Sequence, residues 1–488
     1  MCTRIEMENL SENSQRKLPE RNILDLFVIL TKSGDVKRCN ATKCLLDHLQ
    51  KQQASSGKNL CGDVKYTIKR LVQGLSSDRK YTRVGFSTAL CQLLRTVDTI
   101  ASSDVLSCIA HSADNTAKNE ERNVFLGNAF GLLTLINSGK ILTASSGEIS
   151  DIVDKLLQLY NKKTYLQLLC LNGILQIIMQ VSHDVFKNSV LPHLQQQYAT
   201  GWDVCTPDTL QLLLTSCKYH PASVKKFLKD HWLGDQLISE KNFPHLGTVV
   251  LKSTSLTHMI HPLIDELLAV VKEKHLDVGK FWKHVGKTLL ASDRRVRVGP
   301  KQILGLYLLE KILPLIDTPE KLKAVMLPDI GSVLIQLCSK KMEEGTKGAK
   351  KISDVISKIT QVLTALVELT VASKDAQFQL EMLKCLISPP GSFEFDNQTN
   401  TTTIAQISSQ LLPEAKHEYI EELMKAFRGE PSWIASENQS ASLPQWCVKQ
   451  LCLMCGNTES SWQLKIFQFL FLHSFFTVKK YSKDIPHN

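Results

Sequence analysis

Hydrophobic residues in the segment 65–95 recur at three- and four-residue steps, which places them on one side of a helix. Two such stripes occur, and they consist of Ile68, Leu71, Val72 and Leu75, followed by Val84, Phe86, Ala89, Leu90, Leu93 and Leu94. The polar residues 76–78, Ser-Ser-Asp, separate the stripes. The segment therefore predicts two amphipathic helices joined by a polar elbow, with small residues in the second helix where another helix can approach closely.

Basic residues gather at this elbow. Arg79, Lys80 and Arg83 precede or open the second predicted helix, where they meet the positive end of its dipole. Residues 76–78 carry side-chain oxygens that can accept hydrogen bonds from free amides, so they are predicted to cap the helix. We expect the three basic residues to face an acidic or helical partner, with Tyr81 as the aromatic anchor. A solvated basic surface is the alternative interpretation.

The same pattern continues along the chain. Apolar-periodic segments of roughly 12–20 residues recur, for example 165–181, 302–315 and 352–371, and Gly, Pro, Ser or Asn interrupt them. No alternating pattern of useful length predicts a strand. Prolines at segment ends and a helix-pair spacing of about 40 residues are typical of HEAT or armadillo stacking. The predicted fold is all-α, an elongated α-solenoid of HEAT/armadillo-like antiparallel helix pairs that bury their stripes against their neighbours.

Breaks in this pattern predict the organisation of the chain. The 488 residues exceed the ~250–300 at which a single compact core stops growing. The segments KKMEEGTKGAKK and PPGSFEFDNQTNTTT are polar and lack a helical stripe. The predicted regions are a disordered N-terminus (1–20), helical repeats (21–339), a mobile charged loop (340–351), helical repeats (352–388), a polar loop (389–403) and helical repeats (404–488).

Composition narrows the class of protein. Hydrophobic residues make up 43% and charged residues 22%, as in folded globular proteins. Because no run of about twenty uncharged apolar residues occurs, we expect no membrane span. The polar N-terminal segment lacks a signal-peptide core, so we expect the 14 cysteines to be reduced thiols inside the cell.

A cysteine cluster is the main candidate for a metal site. Cys447, Cys452 and Cys455 have a C-x4-C-x2-C spacing, with His473 further along. A structural zinc site needs four converging ligands, usually paired through tight turns. Residues 447–453 instead follow one helical pattern, so we predict a helix and no metal or other cofactor.

Signatures of catalysis are missing from the sequence. It contains no G-x-x-x-x-G-K-[ST] phosphate loop, no G-x-G-x-x-G after a strand and no G-x-S-x-G elbow. A polymerase holds two magnesium ions with closely set carboxylates, whereas acidic residues here are scattered over predicted helix surfaces. His258 and His261 lie three apart without a third ligand or a paired carboxylate, so we interpret them as partly buried histidines at helix ends. The residues predict a protein that is not an enzyme.

Positive charge favours a binding function. The formal net charge is +10, and a second basic group lies within the segment 281–290 and just after it. Its candidate contact residues for an acidic partner or nucleic acid are Lys283, Lys287, Arg294, Arg295 and Arg297. No base-reading motif accompanies the charge, and a solvated outer face of the helices is the alternative.

The sequences of several predicted helices resemble those of a known family. The segment 65–94 has the form KY-x-x-KRL-x-x-GL followed by R-x-x-x-R-x-G-F-S-x-A-L-x-Q-L-L. Together with NVFLGNAFGLLTLINSGKI, FWKHVGKTLL and GLYLLEKILPLI, it resembles the Myb-binding protein 1A family, whose yeast members are named DNA polymerase phi or the fifth DNA polymerase. These are packing motifs rather than chemical ones, and they span nearly the whole chain.

The resemblance implies a function as well as a fold. It implies a non-enzymatic nuclear and nucleolar scaffold that binds transcription factors and ribosome-assembly proteins and regulates transcription, including that of ribosomal RNA genes. Direct nucleic-acid binding, or a polymerase-like activity as the family name suggests, is the alternative. Family members continue far beyond this length with an acidic tract and a basic tail, so we expect this chain to correspond to their N-terminal part. No strong nuclear import signal is present, and the nuclear expectation rests on the resemblance.

Overall fold

A computed structural model describes residues 23–57, 59–114, 121–256, 260–290, 299–326, 329–339, 349–435 and 441–481. Every regular element among these residues is helical, which confirms the all-α prediction for them. The chain forms two compact units: residues up to Thr200 with Leu212–His231, and Gly201–Gln211 with the chain from Trp232 onward. The predicted disordered segment 1–20 lies outside the described residues.

Twelve α-helices precede Trp232 among the described residues. In chain order they are α1 (Ile23–Leu30), α2 (Asp35–Ser56), α3 (Gly62–Leu75), α4 (Lys80–Thr96), α5 (Ser102–Asp114), α6 (Glu121–Asn137), α7 (Ser146–Lys162), α8 (Gln167–Gln180), α9 (183–198), α10 (Gly201–Val204), α11 (Pro207–Tyr219) and α12 (Pro221–His231). Residues of α11 belong to both units.

The helices that follow lie in the second unit. In chain order they are α13 (Phe243–Leu256), α14 (Leu263–Glu273), α15 (278–290), α16 (Pro300–Ile312), α17 (Pro319–Met326), α18 (Ile330–Ser339), α19 (Ala349–Ala372), α20 (Ala376–Ile387), α21 (Phe395–Thr399), α22 (Thr403–Ser409), α23 (Pro413–Arg428), α24 (Leu443–Cys455) and α25 (Ser460–Tyr481).

The helix pair α3–α4 follows the predicted stripes. Its buried apolar residues are Ile68, Leu71, Val72, Leu75, Phe86, Ala89, Leu90, Leu93 and Leu94. Val84 is the exception, since 39% of it is exposed, and Gly85 lies in the interface instead. A Cβ atom at Gly85 would stand 2.1 Å from the carbonyl oxygen of Leu30, so α4 packs against the end of α1 only because this residue has no side chain.

Packing in the second unit repeats every three helices. Each helix from α16 to α20 contacts the helix three places further along the chain: α16 contacts α19, α17 contacts α20, α18 contacts α21, α19 contacts α22, and α20 contacts α23. Stacking of this kind, in which each element contacts only near neighbours, is typical of helical repeats, and armadillo repeats likewise contain three helices.

One landmark of the sequence, FWKHVG, forms a wide turn within α15. Residues Trp282–Gly286 adopt π-helical hydrogen bonding inside this helix. A Cβ atom at Gly286 would lie 2.0 Å from the indole ring of Trp282, which is 2% exposed. The indole ring therefore packs against the backbone of its own helix at Gly286, where any larger residue would clash with it. Insertions of this type are the usual form of π-helix in proteins.

Two segments predicted as loops contain helical residues. α19 begins at Ala349, so the end of the predicted loop 340–351 is helical, and 340–348 lie outside the described residues. Within the predicted loop 389–403, α21 forms because Phe395 is fully buried and anchors it. The Asp396 carboxylate accepts hydrogen bonds from the amides of Ile404 (2.9 Å) and Ala405 (3.1 Å), which fixes the start of α22.

Among the described residues, one helix on its own is long and apolar enough to cross a membrane. This window is Val355–Ala372 of α19. Its residues Val355, Ile359, Val362 and Leu366 are buried, and the helix packs on α16 and α22. Helix–helix packing therefore accounts for the apolar face of α19.

Candidate functional site

The elbow between α3 and α4 exposes an aromatic side chain. Tyr81 is 50% exposed, and Val84, one turn further along α4, is also exposed. The Arg38 guanidinium lies 5.5 Å from the centroid of the Tyr81 ring, within the range of a cation–π contact. Arg38 is itself 7% exposed and donates a hydrogen bond to the carbonyl oxygen of Lys32 at 2.8 Å. A buried arginine thus supports one side of the exposed ring.

The basic residues of the elbow differ in their surroundings. Arg79 and Lys80 are exposed, whereas Arg83 is half-buried and its Nη1 donates a hydrogen bond to the Ser77 carbonyl at 2.5 Å. Within the described part of the chain, none of the three forms an ion pair with a carboxylate. Arg79 and Lys80 therefore place their positive charge at the protein surface, while Arg83 is held by the elbow backbone.

The predicted cap of α4 is wrong in its register. The helix begins at Lys80 with Arg79 at its N-cap, and no side chain caps it there. The Ser77 hydroxyl accepts a hydrogen bond from the Arg79 amide at 3.2 Å. Because Ser77 stands two residues before the N-cap, its oxygen reaches the cap residue and not the free amides of the first turn.

Two contacts show which end of α6 lies beside the elbow. A Cβ atom at Gly127, near the start of α6, would lie 2.1 Å from the Ser76 hydroxyl. At the opposite end of the same helices, Arg95 donates a hydrogen bond to the Asn137 carbonyl at 2.6 Å. The elbow and the beginning of α6 therefore share one edge, which we call the elbow edge.

The second basic group is only partly described. Lys283 and Lys287 are exposed on α15, and the Lys287 ammonium lies 3.8 Å from the Asp329 carboxylate. The predicted contact residues Arg294, Arg295 and Arg297 lie outside the described residues. Nearby, the ammonium of Lys280 donates a hydrogen bond to Glu240 at 2.8 Å, and this bond lowers the pKa of the Glu240 carboxyl. One candidate lysine, Lys287, thus has a carboxylate beside it.

A buried carboxylate partner of His261 was missed in the sequence. The His261 Nε2 atom lies 2.7 Å from Asp208 Oδ1, and both side chains are almost completely buried. The Leu263 amide donates a hydrogen bond to His261 Nδ1 at 3.2 Å, so Nε2 carries the proton that is donated to Asp208. The pair lies at the start of α14, where His261 accepts the hydrogen bond of the first helical amide, and both side chains are shielded from solvent. His261 lies at a helix end as predicted, but it is almost completely buried rather than partly buried. The expectation that it has no paired carboxylate is wrong, because Asp208 stands 53 residues earlier in the chain. His258 lies outside the described residues.

The cysteine cluster lies on one helix. α24 spans Leu443–Cys455, with Cys447 buried and Cys452 exposed. Burial raises the pKa of the Cys447 thiol to about 12. Across the ranges that the structure describes, no group of three or more His, Cys, Asp or Glu residues is placed to hold a metal ion.

Comparison with known proteins gives consistent matches. The sequence model of a family described as DNA polymerase phi matches residues 66–487. The chain is 26% identical over 500 residues to a Myb-binding protein 1A-like protein of Danio rerio, which covers 96% of this chain and 37% of that protein. It is 25% identical over 502 residues to Myb-binding protein 1A of Homo sapiens, covering 96% of this chain and 35% of that protein.

A yeast protein is also similar to part of the chain. The rDNA transcriptional regulator pol5 of Schizosaccharomyces pombe is 33% identical over 172 residues, which cover 34% of this chain and 17% of the yeast protein. The chain therefore spans little more than a third of the length of the relatives that it matches most fully. The names of these relatives describe regulators and binding proteins rather than enzymes.

Proposed function

The chain belongs to the DNA polymerase phi family, and on that premise we propose that it is a non-enzymatic scaffold of the nucleus and nucleolus. In this role it binds transcription factors and ribosome-assembly proteins and regulates transcription, including that of ribosomal RNA genes. The observation that carries the proposal is similarity over 96% of the chain to proteins named for binding Myb, together with similarity to a named rDNA regulator.

The elbow supplies a surface suited to such binding. Tyr81 and Val84 present apolar area on one face of α4, and the charges of Arg79 and Lys80 lie beside them. Tyrosine and arginine are both enriched among the residues that dominate protein–protein binding energy. We assign the elbow, with Arg79, Lys80, Tyr81 and Arg83, as a contact surface for an acidic partner.

Direct binding of nucleic acid is the second candidate function. It is supported by the exposure of Lys283 and Lys287 on α15 and by the net charge of +10. Contacts to phosphates release counterions, so binding through these lysines would weaken steeply as salt concentration rises. Titration of labelled DNA and RNA at two salt concentrations, with Lys283→Ala/Lys287→Ala as the variant, measures this contribution.

Depletion of the protein from cells tests the proposed regulatory function. We expect a changed rate of precursor ribosomal RNA synthesis in pulse labelling, restored by wild-type protein. Restoration should fail for Arg79→Ala/Lys80→Ala/Tyr81→Ala. The matched control is Lys225→Ala/Lys226→Ala, which removes two exposed lysines from α12 in the same unit. An unchanged synthesis rate after depletion would contradict the proposal.

Purified protein tests the non-enzymatic part of the proposal. In a magnesium-dependent primer-extension assay, we expect no template-dependent incorporation above that of a heat-inactivated sample. Incorporation above this background would support the polymerase-like alternative instead.

A further inference from the structure

An apolar groove lies between α5, α6 and α7 in the first unit. This open groove has a volume of about 190 Å³, and its apolar walls include Ile109 from α5, Phe125 and Leu132 from α6, and Leu159 from α7. An apolar cavity of about 150 Å³ is large enough to bind benzene. The groove therefore has room for one large apolar side chain, such as that of leucine or phenylalanine.

Two lysines border the groove on one side. Lys155 and Lys162 both line it, and their spacing of seven residues places them on the same face of α7, two turns apart. The ammonium of Lys162 lies 4.4 Å from the centroid of the Phe125 ring. No carboxylate is among the described residues that line the groove. The opening thus combines an apolar floor with positive charge.

Two carboxylates close to this region interact with other groups. Asp154 accepts a hydrogen bond from Gln158 at 2.7 Å. Glu121 lies 3.9 Å from the ammonium of Lys163. Neither carboxylate is paired with Lys155 or Lys162, so the positive charge at the groove is not neutralised by them.

The groove lies beside the part of α6 that the elbow contacts. Ser76 of the elbow lies against Gly127, and the next residue, Asn128, lines the groove. The Glu121–Lys163 contact joins the start of α6 to the end of α7 at the same edge.

We propose that this groove binds an acidic amphipathic helix from a protein partner. One leucine or phenylalanine of that helix occupies the cavity, and aspartate or glutamate residues beside it face Lys155 and Lys162. Helices of this kind dock into apolar grooves through anchors at three- and four-residue steps, and the two lysines select for acidic ones through charge complementarity. This proposal rests on the scaffold function proposed above and names the chemistry of one partner.

Fluorescence polarisation with a designed peptide tests the groove. The probe is a labelled amphipathic peptide with leucine and phenylalanine along one face and glutamate along the other. The matched probe carries lysine at every glutamate position. We expect the acidic probe to bind the full chain with a Kd on the order of 1–100 μM and the basic probe to bind at least about tenfold more weakly.

Two variants separate charge from shape. Lys155→Glu/Lys162→Glu should weaken binding of the acidic probe by about tenfold or more. Ala110→Trp, at an exposed residue that lines the groove, should fill the cavity and weaken binding similarly without a change in charge. Lys225→Glu/Lys226→Glu, with the same charge change on α12, should leave binding unchanged. Thermal unfolding of each variant identifies any that fails to fold.

Several outcomes would overturn the groove proposal. These are absent binding of the acidic probe, equal binding of both probes, or a folded Ala110→Trp variant that binds as well as the wild type. Loss of self-association in the groove variants would assign the groove to a second copy of this chain. Displacement of the probe by RNA that depends on the lysines but not on Ala110 would assign it to nucleic acid. Failure of the peptide test while depletion still alters ribosomal RNA synthesis rejects the groove and leaves the proposed function standing.

Discussion

The imidazole of His220 lies parallel to the ring of Phe186, with 4.1 Å between the ring centroids and 6° between the planes. His220 Nε2 donates a hydrogen bond to the Ile178 carbonyl at 2.7 Å, so Nδ1 is the unprotonated nitrogen. This nitrogen is buried without a hydrogen-bond partner among the described residues. Burial lowers the pKa of His220, and the nearby ring of His183, 5.9 Å away, acts in the same direction.

The stability of the first unit should fall in mild acid because of His220. Between the lowered pKa and the unfolded value of about 6.5, the unfolded chain binds a proton that the folded chain does not. The free energy of unfolding therefore decreases as the pH falls below about 6.5. His220→Gln keeps a donor for Ile178 and should show a smaller decrease between about pH 7.5 and pH 5.5, measured by thermal unfolding.

The control for this experiment is His231→Gln, which changes an exposed histidine. It should leave the pH dependence of the wild type unaltered. An equal pH dependence in wild type and His220→Gln would show that His220 does not set the acid response.

Gly85→Ala should destabilise the first unit. The new methyl group would meet the Leu30 carbonyl at 2.1 Å, and this backbone atom cannot move aside without shifting α1. Overpacking of this kind costs about 1–3 kcal/mol. The matched control is Gly147→Ala in the first turn of α7, where nothing lies within 4 Å. It should leave stability unchanged or raise it by up to about 1 kcal/mol. Urea unfolding of both variants measures the contrast, and equal stabilities would mean that α1 is loosely held.

The basic residues of the elbow should differ in their effect on stability. Arg79→Ala/Lys80→Ala removes exposed charges from the positive end of α4, so the melting temperature should stay unchanged or rise slightly. Arg83→Ala removes the hydrogen bond to the Ser77 carbonyl and should cost about 0.5–1.5 kcal/mol. Calorimetry distinguishes the two. A large loss in the double variant would identify Arg79 and Lys80 as members of an internal network rather than a contact surface.

Thiol reactivity should distinguish the exposed cysteines from the fully buried ones. Cys39 and Cys452 are exposed, whereas burial raises the pKa of Cys170, Cys205, Cys385 and Cys447 to about 12. Since the thiolate is the nucleophile, brief alkylation near pH 8 should label the exposed pair and spare the buried four. Peptide mass spectrometry reads the labelling, and urea-unfolded protein serves as the fully labelled control. Rapid labelling of Cys170 in folded protein would contradict the packing of α8.

The helix pair at the elbow could be predicted from sequence because its signal is local. The stripe of Ile68, Leu71 and Leu75 lies within one helix, and all three residues are buried as its periodicity predicts. Exposure of Val84 could not be predicted in the same way. The end of α1 packs against α4 beside Val84, but it contacts Gly85 and leaves the Val84 side chain exposed.

The features that could not be predicted from sequence depend on contacts between residues far apart in the chain. Arg38 beneath Tyr81 and Asp208 beside His261 each join helices far apart in the chain. The groove poses the same difficulty, since Phe125 and Leu159 belong to apolar stripes like any others and only the packing of three helices leaves a gap between them. Periodicity identifies which face of a helix is buried, but it does not identify the neighbour or how completely that neighbour fills the space.

The three-helix repeat of α16–α23 has a consequence for synthesis of the protein on the ribosome. Each of these helices finds its contacts among helices made shortly before or after it. Low contact order of this kind favours rapid folding, because little chain entropy is lost before a contact forms. The chain can therefore fold from its N-terminal side as it emerges, and apolar faces such as that of α19 are exposed to the cytosol only until the next few helices leave the exit tunnel.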